Sequence, residues 1–187
     1  MILPIYTYGQ PVLRKVAQEV AVDDPTLKTF IADMYETLDA AEGVGLAAPQ
    51  VGKALRVVVI DLDVLKDDFP EYAGFRHAYI NAHIVEYDEK SKKETLDEGC
   101  LSIPGLHESV TRPTRIHVTY LDEDLNPHDE WVEGYLARVM QHEVDHLEGV
   151  MYVDRVSAFR KQMINSKLRG IAQGKFRCPY RVKAPRR

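Results

Sequence analysis

The segment His142-Glu143-Val144-Asp145-His146 restricts what this chain can fold into more than any other part of its sequence. Histidines four residues apart lie on one face of an α-helix, where they can bind a single metal ion, and the glutamate between them can transfer protons. The flanking residues place this face at the border of an apolar, inward surface, so the site would be partly shielded from water. The opposite, polar face carries Arg138, Gln141, Asp145 and Glu148, so we expect Asp145 to be solvated or to support the ligands rather than to bind the metal. A buried, hydrogen-bonded histidine pair without a metal is the alternative that the motif alone leaves open.

A catalytic metal site of this type needs a third protein ligand, because two histidines and water rarely suffice. Metalloproteases with this motif take the third ligand downstream, either a glutamate from a later helix or a third histidine. The chain has no glutamate after Glu148, and Tyr152 occupies the position of that histidine. Cys100 is the remaining strong ligand, and the adjacent Gly99 would allow close approach of the backbone. Taken alone, a cysteine is more often a small buried hydrophobic residue.

The sequence predicts an α+β fold. Helical periodicity predicts three helices, over residues 24–41, about 132–147 and about 155–171. Runs of β-branched or alternating apolar residues predict three strands, over residues 55–61, 79–87 and 114–121. Residues 62–75 are expected to form a surface loop. We therefore expect a single domain over residues 1–187, with mostly antiparallel strands packed around the central helix that carries the pentapeptide, and a C-terminal helix.

Charge is distributed unevenly along the chain. Residues 155–187 contain 11 lysines and arginines and no acidic residue, whereas residues 1–154 contain the other 13 basic residues and all 29 acidic ones. The basic C-terminal helix and tail either bind an anionic partner such as nucleic acid or are simply solvated. Neither a membrane-spanning run nor a signal peptide is evident, so we expect a cytoplasmic protein. The two cysteines do not indicate a disulfide framework, and we assign no role to Cys178.

A third segment changes the interpretation of the other two. Gly43-Val44-Gly45-Leu46-Ala47-Ala48-Pro49-Gln50 joins the first predicted helix to the first strand, and by itself it would be an ordinary helix-terminating loop. Together with Glu98–Ser102 and Gln141–His146, it resembles the three signature motifs of the peptide deformylase family, in the same order and spacing. The resemblance extends over most of residues 1–170.

This resemblance implies a metal site formed by Cys100, His142 and His146, with a fourth position for water. Ligand type alone suits zinc. The family resemblance instead implies Fe²⁺ in the cell, with Zn²⁺, Ni²⁺ or Co²⁺ able to substitute. The implied reaction is the removal of the N-formyl group from nascent peptides that begin with N-formylmethionine, with release of formate.

The resemblance also implies roles for the residues around the metal. Glu143 would take a proton from the attacking water and return it to the departing amine. The Gln50 side-chain amide and the Leu101 backbone N–H would stabilise the charge that develops on the formyl oxygen. A weaker implication is a structural salt bridge between Glu98 and Arg112. The residues expected to contact the substrate are Val44, Gly45, Gly99, Leu101, Val139 and His142.

The partners implied are formylated nascent peptides and the ribosome, which the basic segment from about residue 155 would bind. Removal of this segment is expected to weaken ribosome binding while sparing activity on short formyl peptides. We expect no DNA and no membrane partner. About ten residues near 61–76 are additional to common family sequences, and their effect on peptide preference is left open. The rival interpretations are a metalloprotease, which would keep its metal without Cys100, and an RNA-binding protein with a closed structural metal site.

Overall fold

The computed structural model describes residues 1–185, so the last two arginines of the basic segment lie outside the described residues. Within this range the chain forms three α-helices and nine β-strands. In chain order they are β1 (Ile5–Tyr6), α1 (Leu27–Ala40), β2 (Gly45–Ala47), β3 (Val57–Asp61), β4 (Arg76–Tyr87), β5 (Lys93–Cys100), β6 (Ile103–Pro113), β7 (Arg115–Leu121), β8 (Pro127–Glu133), α2 (Gly134–Leu147), α3 (Ala158–Ala172) and β9 (Val182–Lys183).

A five-stranded antiparallel sheet, in the order β2-β3-β4-β7-β8, divides the interior into two cores. All five residues of β3 are buried, which explains why its sequence is continuously apolar rather than alternating. Val58 and Ile60 pack in the core with α2, whereas Val57 and Val59 pack in the core with α1. The predicted α+β class, with mostly antiparallel strands around a central helix and a further helix near the C-terminus, is confirmed.

The three predicted helices exist with shifted ends. Helix α1 begins at residue 27 rather than 24, because the Asp24 carboxylate accepts hydrogen bonds from the backbone and hydroxyl of Thr26 in a preceding turn. Helix α2 begins two residues later than predicted, because residues 132 and 133 pair with β7 as the end of β8. Gly149 follows the end of α2 by two residues and has a φ of 70°. A Cβ there would lie 2.7 Å from the Arg14 carbonyl oxygen.

A second antiparallel pair, β5 and β6, was not predicted from the sequence. Its residues are largely polar, and only one side of β6 is buried, against a third core that includes Tyr152 and residues of α3. The two strands are joined by the two-residue turn Leu101–Ser102, so the hairpin carries Cys100 at its tip. A short parallel pair, β1 with β9, joins the two ends of the described chain. No helix within residues 1–185 is long and apolar enough to cross a membrane.

Candidate metal centre and catalytic cavity

The hairpin tip and α2 bring together three potential metal ligands. Cys100, His142 and His146 each offer one ligand atom, and these atoms all lie within 4.8 Å of one another. The Cys100 Sγ lies 3.3 Å from the His146 Nε2. A thiolate and two imidazoles form a donor set that suits a divalent transition metal and leaves a fourth tetrahedral position for water. The side chains therefore fit a catalytic rather than a closed metal site.

Unsatisfied buried atoms support the same interpretation. Among residues 1–185, three buried side-chain polar atoms lack a hydrogen-bond partner, and two of them, Glu143 Oε2 and His146 Nδ1, belong to the pentapeptide. Leaving such atoms unpaired costs about 1–3 kcal/mol each, and Glu143 Oε2, whose residue lines the cavity beside the ligands, can accept from a group bound there. Burial also lowers the pKa of His146 well below its usual value, which favours the neutral imidazole that binds metals.

His142 is oriented by a buried carboxylate. Its Nδ1 lies 2.9 Å from Glu98 Oε2 and donates to it, which leaves Nε2 for a metal. Glu98 also accepts hydrogen bonds from Arg112, at 2.6 and 2.9 Å, and from Arg138, at 2.7 Å. Burial raises the pKa of Glu98, but the hydrogen bonds from Arg112 and His142 outweigh burial and hold that pKa well below its usual range. The structure thus contains the salt bridge between Glu98 and Arg112 that the resemblance implied.

For Asp145, the polar side of α2 predicts either a solvated position or a supporting role behind the metal ligands, rather than metal ligation. Asp145 is buried and accepts hydrogen bonds from Arg112, at 2.9 Å, and from Arg155, at 2.6 Å. The solvated position is therefore wrong, because Arg112 comes from β6, a strand that the sequence did not reveal. Arg112 also connects Asp145 to Glu98, the carboxylate that orients His142. Tyr152, which occupies the place of a third histidine, instead packs its ring against His142 with the centroids 5.9 Å apart.

Glu143 lies deep in the site with little room around it. A Cβ at position 45 would lie 2.5 Å from Glu143 Oε1, so β2 can approach the carboxylate this closely only because residue 45 is glycine. Burial raises the pKa of the Glu143 carboxyl to about 7, close to the range that suits proton exchange at neutral pH. A cation held by the adjacent histidines would lower this pKa.

Gln50 is fixed at both ends of its side-chain amide. It lies in a 3₁₀ turn, Ala48–Val51, directly after β2. Its Oε1 accepts a hydrogen bond from the Ala47 N–H at 2.8 Å, while its Nε2 donates to Ser102 Oγ at 3.3 Å and lies 3.5 Å from Cys100 Sγ. The amide group is therefore held beside the hairpin tip, with its N–H groups directed to the site rather than away from it.

These groups border one cavity of about 380 Å³. The predicted site residues that line it are Val44, Gly45, Gln50, Gly99, Cys100, Leu101, Val139, His142 and Glu143. His146, the remaining predicted ligand, is buried beneath the lining.

Other lining residues were not predicted as part of the site, and three of them have side chains that can form hydrogen bonds from opposite parts of the wall: Tyr135, Arg138 and Tyr180. Tyr135 precedes His142 by seven residues, about two helical turns, so the periodicity of α2 held a usable signal for it. Arg138 was assigned to the solvated face of the helix, although it is buried. Tyr180 follows α3 by eight residues, and no local pattern indicates that the chain returns there to the cavity.

Comparison with known proteins is consistent with this site. Residues 2–162 match the family model described as polypeptide deformylase. The chain is 45% identical over 190 residues to the peptide deformylase of Flavobacterium psychrophilum, covering 98% of this chain and 97% of that protein. It is 44% identical over 185 residues to the peptide deformylase of Cytophaga hutchinsonii, covering 99% and 98% of the two proteins.

Solved structures are similar along nearly the whole chain. A crystal structure of peptide deformylase from Ehrlichia chaffeensis in complex with actinonin has a TM-score of 0.80 at 34% identity, covering 94% of this chain and 99% of that one. A crystal structure of a peptide deformylase from Legionella pneumophila has a TM-score of 0.78 at 35% identity, covering 94% and 98%. At these identities and coverages, the likeness extends to sequence as well as fold.

Proposed function

Because this chain belongs to the peptide deformylase family, whose members are metal-dependent hydrolases acting on formylmethionine peptides, we propose which of its residues carry out the reaction. The protein removes the N-formyl group from the N-terminal formylmethionine of nascent polypeptides and releases formate. One observation carries the residue assignment: the ligand atoms of Cys100, His142 and His146 all lie within 4.8 Å of one another, and Cys100, His142 and Glu143 line the same cavity.

Cys100, His142 and His146 are the proposed ligands, and Fe²⁺ is the metal proposed for the cell. A metal bound there supplies Lewis acidity, which makes water a stronger acid and polarises a carbonyl group. The family resemblance supports iron, and the thiolate and imidazole donors would also accept Zn²⁺, Ni²⁺ or Co²⁺. Ferrous ion would make Cys100 prone to oxidation, so material purified in air would carry other metals or less metal.

Glu143 is the proposed general base and acid. It accepts a proton as the water oxygen bonds to the formyl carbon, and it returns that proton to the amine nitrogen when the C–N bond breaks. Its unpartnered Oε2 and its place in the cavity wall support this role. The Gln50 amide and the Leu101 backbone N–H are the proposed donors to the formyl oxygen, and the fixed position of Gln50 means that little reorganisation accompanies the reaction.

The substrate peptide is proposed to pair with β2. This strand lies at an edge of the five-stranded sheet, so one of its sides can form hydrogen bonds with an extended peptide. Val44 and Gly45 lie at the start of this edge, with Gly99 and Leu101 across the cavity. Val139 and His142 lie one helical turn apart on α2, in the cavity wall that would enclose the methionine side chain.

The direct test is formate release. Protein purified without oxygen and loaded with Fe²⁺ should release formate from a formyl-Met peptide, with about one metal ion bound per chain, and should leave the unformylated peptide intact. No formate release from iron-replete protein would overturn the assignment. Cleavage of the unformylated peptide would favour a metalloprotease.

The ribosome is the proposed docking partner, and the cytoplasm the proposed compartment, because the substrates are nascent chains. Helix α3 buries Ile164, Leu168 and Ile171, while its basic residues lie on the outer side. Four exposed cations of the segment from residue 155 form neither an ion pair nor a side-chain hydrogen bond within residues 1–185. They are Lys167, Arg169, Lys175 and Arg177. Phosphate contacts through such a surface would give a steep dependence of binding on salt.

Charge reversal tests this docking better than deletion of the tail, because Tyr180 lines the catalytic cavity. Replacement of the four exposed cations by glutamate should abolish co-sedimentation with ribosomes at low salt. It should leave kcat/KM for a short formyl-Met peptide within twofold of wild type. Ribosome binding that is unchanged by the four substitutions would contradict the docking proposal.

A further inference from the structure

The turn that carries Cys100 is held by two tyrosine residues. The Leu101 carbonyl accepts a hydrogen bond from the Tyr180 hydroxyl at 2.9 Å, and the next carbonyl, of Ser102, accepts one from the Tyr8 backbone N–H at 2.8 Å. The Ser102 hydroxyl in turn accepts from Gln50. Both carbonyls of a two-residue turn are thus bonded to groups outside the hairpin, in addition to the pairing of the strands themselves.

The two tyrosines belong to one small sheet. Tyr8 follows β1 and Tyr180 precedes β9, and these strands pair in parallel with Ile5 opposite Val182. The Ile5 N–H donates to the Arg181 carbonyl at 2.9 Å. The Lys183 carbonyl accepts from the Thr7 N–H at 3.3 Å and from the Gln10 side chain at 3.1 Å. We call β1, β9 and these two tyrosines the terminal clamp.

Tyr180 is suited to the role of a donor in this clamp. It is half-buried in the wall of the catalytic cavity, and burial raises the pKa of its phenol, so the hydroxyl keeps its proton. On the other side of the tail, a separate cavity of about 390 Å³ lies between Pro179 and residues of β1 and α1 such as Thr37. Side-chain packing beneath the tail is therefore incomplete, and hydrogen bonds hold it in place.

We propose that Tyr180 is a positioning residue for the deformylation reaction, because it fixes the turn that presents the Cys100 sulfur and the Leu101 N–H to the cavity. Each peptide group is planar, so a hydrogen bond to the Leu101 carbonyl restricts rotation about the Leu101 Cα, where the two peptide planes of the turn meet. Donors that are fixed before the reaction stabilise developing charge without reorganisation. This inference rests on the proposed function, in which the Leu101 N–H contacts the formyl oxygen.

Tyr180→Phe tests the hydrogen bond while keeping the ring. Loss of one neutral hydrogen bond corresponds to a free-energy change of about 1 kcal/mol, so kcat per bound metal ion should fall about 3- to 10-fold. The KM for a formyl-Met peptide should stay within twofold, and the midpoint of thermal unfolding should change little. Tyr180→Ala should lower kcat at least as much and also raise KM, because it opens the cavity wall.

Tyr35→Phe is the matched control. Tyr35 lies on α1, away from the catalytic cavity, and its hydroxyl donates to Glu123 Oε1 at 2.7 Å. Loss of this hydrogen bond should leave kcat and KM unchanged. A Tyr180→Phe variant with wild-type kcat, or one that changes KM alone, would overturn the positioning role while leaving the proposed function intact. Absence of formate release from the wild-type protein would instead overturn the proposed function.

Discussion

Two cavities of similar size are both lined in part by residues of α2, and they differ in how their polar groups are satisfied. The catalytic cavity has a volume of about 380 Å³, and a second cavity, lined largely by residues of β4, β7 and β8, has about 450 Å³. Neighbouring residues of α2 separate them, since Tyr135 lines the first and Leu136 lines the second. Size therefore does not distinguish the site that carries the chemistry.

The second cavity is lined mainly by aromatic side chains, and its polar groups pair with one another. The Tyr120 hydroxyl donates to Glu130 Oε1 at 2.6 Å, and His128 Nε2 lies 2.8 Å from Asp122 Oδ2. None of the lining side chains has a buried polar atom without a partner in the described structure. In the catalytic cavity, by contrast, Glu143 Oε2 lacks one. The difference shows that unsatisfied, converging polar atoms identify a site better than empty volume does.

Among substitutions in the two cavities, loss of a metal ligand should have the largest effect on metal binding and activity. Cys100→Ala removes one of three proposed protein ligands, so metal affinity should fall at least about 10³-fold and formate release should become undetectable. Metal analysis after dialysis and a formate assay measure both effects. Cys178→Ala is the matched control, because that thiol lies in the tail and bonds only to the Tyr180 carbonyl, at 3.4 Å. Full metal retention without Cys100 would favour the metalloprotease interpretation.

Glu143→Gln should separate proton transfer from metal binding. The substitution keeps the shape of the side chain but removes its basicity, so kcat should fall about 10²- to 10⁴-fold while the metal content stays near wild type. Steady-state formate release and metal analysis on the same sample measure the two quantities. Glu133→Gln changes a glutamate that lines the second cavity and should leave kcat within twofold. Equal losses in both variants would remove the proposed distinction between the cavities.

The sequence predicted the parts of the site that depend on local patterns. The pentapeptide requires a helix for its ligands to converge. The structure has this helix, its apolar side and the glycine that follows its end within a few residues of the predicted positions. The segments around Gln50 and Cys100 were recognised through family motifs rather than through physical pattern. The fold class followed from the same elements, because α2 with alternating strands already defines an α+β domain.

The remaining features depend on contacts between residues far apart in sequence. The β5–β6 hairpin has polar strands that no apolar alternation reveals, and without it Asp145 has no visible partner, so the sequence left a solvated position open for its carboxylate. Arg112 excludes the solvated position, because it bridges Glu98 and Asp145 inside the protein. The place of Tyr180 in the cavity wall could not be predicted for a similar reason. The path of the chain after α3 is set by backbone pairing with β1, and such pairing can form with most side chains.

Disruption of the buried ion pairs of Glu98 should have an intermediate effect on metal affinity and kcat/KM. Glu98→Gln keeps a hydrogen-bond acceptor for His142 but leaves Arg138 without its charged partner and Arg112 with Asp145 alone, so metal affinity or kcat/KM should fall about 10- to 100-fold. Metal titration, formate release and urea unfolding measure the effects on binding, catalysis and the free energy of unfolding. Asp122→Asn, which removes the carboxylate that holds His128 in the second cavity, should change neither metal affinity nor kcat/KM. An unchanged metal affinity and kcat/KM in Glu98→Gln would mean that the carboxylate does not orient His142.

The smallest effects are expected where the second cavity alone is altered. Tyr120→Phe removes the donor of a partly exposed hydrogen bond, so the free energy of unfolding should fall by no more than about 1 kcal/mol, with kcat/KM within twofold of wild type. Combining it with Glu130→Gln should add little, because both substitutions remove the same bond. A fall in kcat/KM beyond about fivefold, seen only with formyl peptides longer than three residues, would show that the substrate extends across α2. The aromatic cavity would then be part of the peptide-binding surface, and the unsatisfied atoms of the first cavity would mark only the place of bond cleavage.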